Sequence, residues 1–366
     1  MKISVNRNDL ITPLVQVGNV VEKRQTLPIL ANVLMNVRDG RLSITATDLE
    51  VELKTAINVE ADEEFDITIP ARKLMDICKA LPDDADVSLE INGEKAVMKA
   101  GRGRYSLGTL PAKDYPSIEP ATVSDRFSIT EGAFKRLLDK TLFAMAQQDV
   151  RYYLNGLLLE ITPGRIRTVA TDGHRMALCD GEFENPNNID IQAILPRKAV
   201  IELSRLLSDS DENIEIELSN SHICVHMESS KFTSKLIDGR FPDYERVIPA
   251  GDASNVVADK GTFKQALART AILSNEKYRG IRFKLSSNTL HLQAHNPEQD
   301  EAEEEISVEY SGDDMTVGFN VSYLLDVLNV IDGDQVNVGV IDSNSSCLIT
   351  SFGSNESRYV VMPMRL

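Results

Sequence analysis

No apolar stretch of the 366-residue chain approaches the roughly 18 residues that a membrane-spanning helix requires, which excludes a transmembrane helix. Met1 to Asp9 alternate apolar with polar side chains and reach charge by Arg7, so the apolar core of a secretion signal is missing and the segment reads as a first strand. The four cysteines, Cys78, Cys179, Cys224 and Cys347, form no Cys-x-x-Cys pair, which argues against a zinc knuckle or disulfide framework and suits reduced thiols in a cytoplasm. No glycine-rich strand-to-helix turn supports a Rossmann or Walker phosphate site. Basic residues are in deficit too, 39 against 56 acidic, for a net charge of −17. DNA binding by the average surface is thereby disfavoured, but a charge is felt over only about 8 Å at physiological salt, so a locally basic face stays open.

What is present is an internal repeat. Leu42 to Asp48, Ile166 to Asp172 and Leu290 to Asn296 can be laid on one another, with Ala46, Ala170 and Ala294 each 124 residues apart. Helix starts at Pro70-Ala71-Arg72-Lys73-Leu74, Pro196-Arg197-Lys198-Ala199-Val200 and Asn320-Val321-Ser322-Tyr323-Leu324 keep nearly the same interval. Tyr115-Pro116 and Phe241-Pro242 close the first two units with proline turns. At about 150 residues per domain the length allows two or three domains; the repeat selects three, at 1–124, 125–253 and 254–366.

Within the first unit, alternating Ile3 and Val5 predict a strand, and Leu10, Leu14, Val17 and Val21 keep helical spacing. Strands follow near 31–37, 41–47, 51–57 and 65–69, then a second helix marked by Leu74, Ile77, Cys78 and Leu81. Three more strands lie near 86–91, 95–100 and 103–108, the first two joined by an Asn92-Gly93 hairpin turn. Each unit is therefore an α+β domain of antiparallel sheets with two helices. The predicted helical segments 7–24, 71–80, 131–151, 197–207, 260–279 and 320–330 together carry +9, leaving −26 on the remainder. Either Lys and Arg serve there as good helix formers, or helices from all three domains share one face toward a polyanion.

Several local clusters invite chemistry. Gln147-Gln148-Asp149-Val150-Arg151-Tyr152-Tyr153 gathers amides, a guanidinium and two phenols that can bond phosphates and stack on bases, or merely cap a core. In Asp172-Gly173-His174-Arg175 an acid could orient a histidine, but no Gly-x-Ser-x-Gly elbow or matched carboxylate accompanies it, and its place in the Ala-Thr-Asp repeat favours a structural turn. His222, Cys224 and His226 share one face of a strand and offer three metal donors. The acidic run Glu298 to Glu305 could bind a cation, form a solvated loop, or dock against the basic Lys73, Arg102 and Arg104 at the other end of the chain. The apolar tail Tyr359 to Leu366 reads as a last strand, and Met362-Pro363-Met364 as an adaptable peptide-receiving surface.

Leu27-Pro28-Ile29-Leu30, the run Gln148 to Gly156, Ala170 to Arg175, Asp238 to Tyr244, Leu273 to Lys277, Asn296 to Gln299 and Val361 to Leu366 together resemble the bacterial DNA polymerase III beta subunits, and the resemblance covers the whole chain. It implies three tandem clamp domains with sheets outside and helices inside, joined head to tail as a homodimeric ring around duplex DNA. It also implies no catalysis and no cofactor, with the clamp loader and replicative and repair polymerases docking through linear motifs.

Residue by residue, the resemblance assigns DNA contact to Arg24, Arg72, Gln148, Tyr152, Tyr153, Arg197 and Lys198. It assigns the peptide pocket to Leu154, Thr171, Gly173, His174, Arg175, Met176, Pro242, Arg246, Val247, Asn320, Tyr323 and Ser346, with Val360, Val361, Met362, Pro363, Met364, Arg365 and Leu366 of the tail. The dimer seam is assigned to Lys73, Arg102, Arg104, Tyr105 and Leu107 facing Ile272, Leu273, Asp300, Glu301, Glu303 and Glu304. Met176 stands where the family commonly has Leu, and Tyr105 where Phe is expected.

Overall fold

The computed structural model describes residues 1–21, 27–119, 122–184 and 188–365, and the chain divides into two compact units. The first comprises Met1–Gly132 and Ile201–Leu236. Its opening strand Lys2–Asn6 leads into helix α1 (Arg7–Gly18), where the Asn6 side chain accepts the Asn8 N–H at 2.9 Å as a cap. Leu10, Leu14 and Val17 face the core. The helix stops at Gly18, because the Asn19 N–H turns back to the carbonyls of Gln16 and Val17; Val21 is buried but non-helical, so the predicted helix through 24 was too long. Helix α2 (Ala71–Ala80) buries Ala71, Leu74 and Cys78 and packs close to α1, where a Cβ at Gly18 would lie 3.2 Å from Met75 Sδ.

Two antiparallel sheets complete this unit. One has five strands, in the order Glu60–Ala61, Lys2–Asn6, Asp86–Asn92, Lys95–Ala100, Gly103–Gly108. The other has eight, in the order Asp125–Thr130, Asn213–Leu218, His222–His226, Ser230–Lys235, Val51–Asn58, Arg41–Thr47, Asn32–Arg38, Phe65–Pro70. The expected hairpin turn sits one residue later than the sequence suggests. Asn92 pairs with Lys95, so Gly93 and Glu94 are the central residues, and Gly93 at φ 59° supplies the left-handed conformation.

The second unit comprises Ala133–Val200 and Ile237–Leu366. Helices α3 (Glu131–Asp139) and α4 (Arg197–Leu206) cross the division in sequence, whereas α5 (Lys260–Thr270) and α6 (Val321–Val330) lie wholly in the second unit. The helix expected over 131–151 ends at Asp139, with the Thr141 hydroxyl bonding back to the Leu137 carbonyl at 2.9 Å and a short 3-10 turn following at Leu142–Ala144. The helix expected over 260–279 likewise gives way to a 3-10 turn, Ala271–Leu273. The six helices as observed carry +6, leaving −23 elsewhere, so the charge segregation survives their shortening. No helix among the described residues is long and apolar enough to cross a membrane.

The second unit also holds two antiparallel sheets. Eight strands run in the order Ile191–Pro196, Gly156–Thr162, Arg165–Thr171, Arg175–Glu182, Ser357–Val361, Cys347–Ser351, Gln335–Val340, Ser254–Asp259. Four run in the order Glu301–Ser307, Thr289–His295, Gly280–Ser286, Met315–Asn320, so the acidic run, for which a solvated loop is one of three readings, is largely a strand.

The repeat is visible in this topology. A block of four strands recurs as Val51–Asn58 to Phe65–Pro70, Arg175–Glu182 to Ile191–Pro196, and Glu301–Ser307 to Met315–Asn320, each in the order third, second, first, fourth. The first two blocks are extended at their third strand by Ser230–Lys235 and Ser357–Val361 respectively. The third block has no such neighbour among the described residues: Glu301–Ser307 is a sheet edge, and so is Gly103–Gly108, the counterpart of the two extending strands.

Candidate DNA, peptide and seam surfaces

The Ala-Thr-Asp segment of the repeat builds a turn rather than an acid–base pair. Asp172 Oδ1 accepts the N–H groups of His174 and Arg175 at 2.9 and 3.0 Å, while Thr171 donates its hydroxyl to the Arg175 carbonyl at 2.6 Å. Asp48 and Thr47 make the same set with Glu50 and Val51. The residue after the acid is left-handed in both, Gly173 at φ 88° and Leu49 at φ 79°. Asp172 thus spends Oδ1 on the backbone turn and Oδ2 on the Arg175 guanidinium at 3.1 Å.

Beside the Asp172 turn lies the loop expected to meet DNA. Asp149 grips Arg151 through its backbone N–H at 2.8 Å and its guanidinium at 2.8 and 3.0 Å, which holds the Asp149 carboxyl down at about 2. Asn155 ties the loop base, accepting the Asp149 N–H at 2.9 Å and donating to its carbonyl at 2.8 Å. Gly173 is required here, since a Cβ would approach the Arg151 guanidinium to 3.0 Å. Val150 is 96% exposed at the loop tip, and Gln148 is exposed at φ 57°. Tyr152 is exposed, and Tyr153 packs edge-on beneath it, 5.7 Å between centroids, on the apolar cluster of Leu158, Val169, Met176 and Phe241. Arg197, half-buried at the start of α4, donates to the Met145 carbonyl at 3.1 Å, and Lys198 follows it. Arg72 is exposed in the first turn of α2 in the first unit; Arg24 lies outside the described residues.

The residues expected to receive a peptide all fall in the second unit. Leu154, Met176, Val360 and Val361 are buried and form its core rather than an open wall. The accessible members are His174, Pro242, Arg246, Val247, Met362 and Arg365, with Thr171, Gly173, Arg175, Asn320, Tyr323, Ser346, Pro363 and Met364 half-buried; Leu366 lies outside the described residues. Two backbone bonds pin the tail, Met362 N–H to the His174 carbonyl at 3.0 Å and Met364 N–H to the Gly318 carbonyl at 2.7 Å. Asn320 caps α6, accepting from Ser322 and Tyr323, and Arg246 pairs with Asp243. A cavity of about 420 Å³ adjoins the tail, lined by Met364 and Arg365 together with Tyr278, Arg282, His295 and Pro297. Those last four were not identified from sequence; the neighbouring Leu273 to Lys277 and Asn296 to Gln299 motifs were the available signal.

Seam candidates gather on and beside two sheet-edge strands, Gly103–Gly108 and Glu301–Ser307. Arg104, Tyr105 and Leu107 belong to strand Gly103–Gly108, with Arg102 in the preceding turn and Lys73 exposed on α2; Leu107 is buried within its own chain. At the other edge, Glu301 and Glu303 are exposed on strand Glu301–Ser307, with Asp300 just before it. Glu304 is already engaged, since Arg269 holds it at 2.5 and 2.9 Å and lowers its pKa. Ile272 is 75% exposed, whereas Leu273 is half-buried. An isoleucine so bare on a 3-10 turn is the sort of apolar surface that an interface covers.

Family models for the DNA polymerase III beta subunit match the chain throughout: the N-terminal domain over residues 1–119, the central domain over 128–243 and the C-terminal domain over 245–365. The beta sliding clamp of Pseudomonas aeruginosa is 53% identical and that of Escherichia coli 46%, each over the full length of both chains. A crystal structure of the Pseudomonas aeruginosa sliding clamp bound to griselimycin, 53% identical, superimposes with a TM-score of 0.96 over 100% of both chains. Caulobacter crescentus pol III beta, 37% identical, does so at 0.93 over the same coverage.

Proposed function

Because the chain belongs to the DNA polymerase III beta subunit family, the beta sliding clamps, we propose that it is a non-catalytic processivity subunit that closes head to tail with a second copy around duplex DNA. The observation that carries the assembly is that Glu301–Ser307 and Gly103–Gly108 are sheet edges where their repeat counterparts are joined within the chain. Inside the chain, Phe232 stands opposite Leu53 and Tyr359 opposite Ala177. Leu53, Ala177 and Ala302 are equivalent through their partners Ala46, Ala170 and Ala294, and Tyr105, Phe232 and Tyr359 through their own partners Met98, Val225 and Ile349. The third join of the same kind then sets Tyr105 opposite Ala302 of the partner subunit. Ile272 supplies apolar contact, and Lys73, Arg102 and Arg104 against Asp300, Glu301 and Glu303 supply register.

In this reading the domains are 1–124, 125–253 and 254–366, and the protein works in the cytoplasm. Arg72, Gln148, Tyr152, Arg197 and Lys198 attract phosphates without reading bases, so the closed ring slides, and topology rather than tight contact retains it. The clamp loader and the polymerases insert linear motifs with apolar anchors over Val247, Met362 and Met364, close to His174 and Tyr323.

Loading onto nicked circular DNA, followed by linearisation, tests the reading. Retention on the circle and loss from the linear form is expected. Equal retention on both would leave a three-repeat peptide scaffold that touches DNA without encircling it.

A further inference from the structure

On the eight-stranded sheet of the first unit, three donors of different chemistry converge. Glu217 stands directly opposite Cys224 in the neighbouring strand, and His226 lies two residues further along the same face. His226 Nε2 is 3.5 Å from Cys224 Sγ and 3.1 Å from Glu217 Oε2, and all three donor atoms fall within 4.8 Å of one another. Bonds of about 2.3 Å to sulfur and about 2.0 Å to nitrogen at a tetrahedral angle separate those two ligands by about 3.5 Å. The nitrogen and sulfur are therefore already at the spacing that a tetrahedral ion needs.

The surroundings orient the set. Arg126 takes the other oxygen of Glu217, which leaves Oε2 aimed at His226, as an outer partner commonly directs a monodentate carboxylate. Thr233, opposite Cys224 on the far strand, has its hydroxyl 3.6 Å from the sulfur. A cavity of about 230 Å³ reaches Glu217 and Cys224, with room for a water as fourth ligand. His222, which the sequence had grouped with Cys224 and His226, is outside the cluster; its Nδ1 lies 2.8 Å from the Ser221 hydroxyl, and Glu217 from the adjacent strand takes its place.

We propose that Glu217, Cys224 and His226 bind a divalent cation of the zinc class, one per chain, clasping strands Asn213–Leu218 and His222–His226. Sulfur with imidazole selects a borderline-soft ion over magnesium or calcium, which prefer all-oxygen sites. Burial pushes the Cys224 thiol up, so the ion must displace its proton to solvent, and His226 must present an unprotonated Nε2 in place of its hydrogen bond to Glu217. Lys231, whose ammonium lies near the thiol, opposes the ion.

Tag-free, reduced, chelator-stripped protein titrated with Co²⁺ decides the matter. One equivalent per chain should produce a thiolate-to-cobalt charge-transfer band with tetrahedral ligand-field absorption, which Zn²⁺ then abolishes. Cys224→Ser should remove the band, and His226→Gln and Glu217→Gln should each weaken binding by about tenfold or more, with unchanged circular dichroism. Lys231→Met should tighten it. A wild-type protein without the band, or a folded Cys224→Ser or His226→Gln protein that binds as before, overturns the assignment.

Discussion

Arg175 lies over the ring of Tyr323, with its guanidinium carbon 4.4 Å from the ring centroid, and the Phe143 ring is 5.2 Å away. The same guanidinium pairs with Asp326 on α6 and with Asp172 at 3.1 Å, and donates to the Phe143 carbonyl at 2.8 Å. A residue assigned to peptide contact is thus also the hub that positions Tyr323. Arg175→Met keeps the stem but leaves two carboxylates without their cation, and should cost about 2–3 kcal/mol, less than a fully buried pair because Asp326 is partly exposed. Urea unfolding should report that loss, and isothermal titration with a polymerase clamp-binding peptide should show weaker affinity as Tyr323 loses its stack.

The proposed seam makes a register-specific prediction. Directly opposed positions place Cβ atoms about 5 Å apart, within reach of a disulfide. Tyr105→Cys with Ala302→Cys should cross-link two copies under mild oxidation, while Tyr105→Cys with Glu305→Cys should not. The native cysteines are all buried and should not compete. In parallel, Ile272→Asp should yield monomers in sedimentation with little change in melting, because Ile272 is bare in the single chain.

DNA attraction should be weak and strongly salt-dependent, with no preference between a duplex and its scrambled sequence. Gln148→Ala with Tyr152→Ala should impair loading while leaving the melting temperature nearly unchanged, since both side chains are exposed. Tyr153→Ala should instead lower stability, because its ring packs on the core cluster.

Leu49 occupies a left-handed conformation that Gly173 fills in the second repeat. A branched side chain there costs about 1–2 kcal/mol, against about 0.5–1 kcal/mol of extra chain entropy for glycine. Leu49→Gly should therefore stabilise the protein by about 0.5–1 kcal/mol, visible as a raised melting temperature.

Burial pushes the Cys78 thiol up to about 11 and that of Cys347 to about 12, with Cys179 raised as well. The folded state holds these protons more tightly than the unfolded chain does. Their contribution is complete below the ordinary thiol range near pH 9 and is lost as pH climbs through it toward the folded values. Urea midpoints should accordingly fall between about pH 8 and pH 10.5, and a thiol reagent near pH 8 should react with these three cysteines only after unfolding.

The repeat, the helix faces and the strand alternation were readable from sequence because each is written within a short window. Ala46-Thr47-Asp48 and Ala170-Thr171-Asp172 could be recognised as turns since the acid bonds the backbone two and three residues on. Family motifs carried the site residues further, but not their exposure: Met176 and Val361 carry the same apolar label as Met362, and only packing buries the first two. Helix ends were misplaced because the Thr141 back-bond and the Asn19 cap compete with helical periodicity by less than a pattern can register. Strand partners separated by about 180 residues, such as Phe232 with Leu53, leave no local signature, so folding alone decides that Gly103–Gly108 and Glu301–Ser307 stay at sheet edges and that Glu217 rather than His222 is the third donor beside Cys224 and His226.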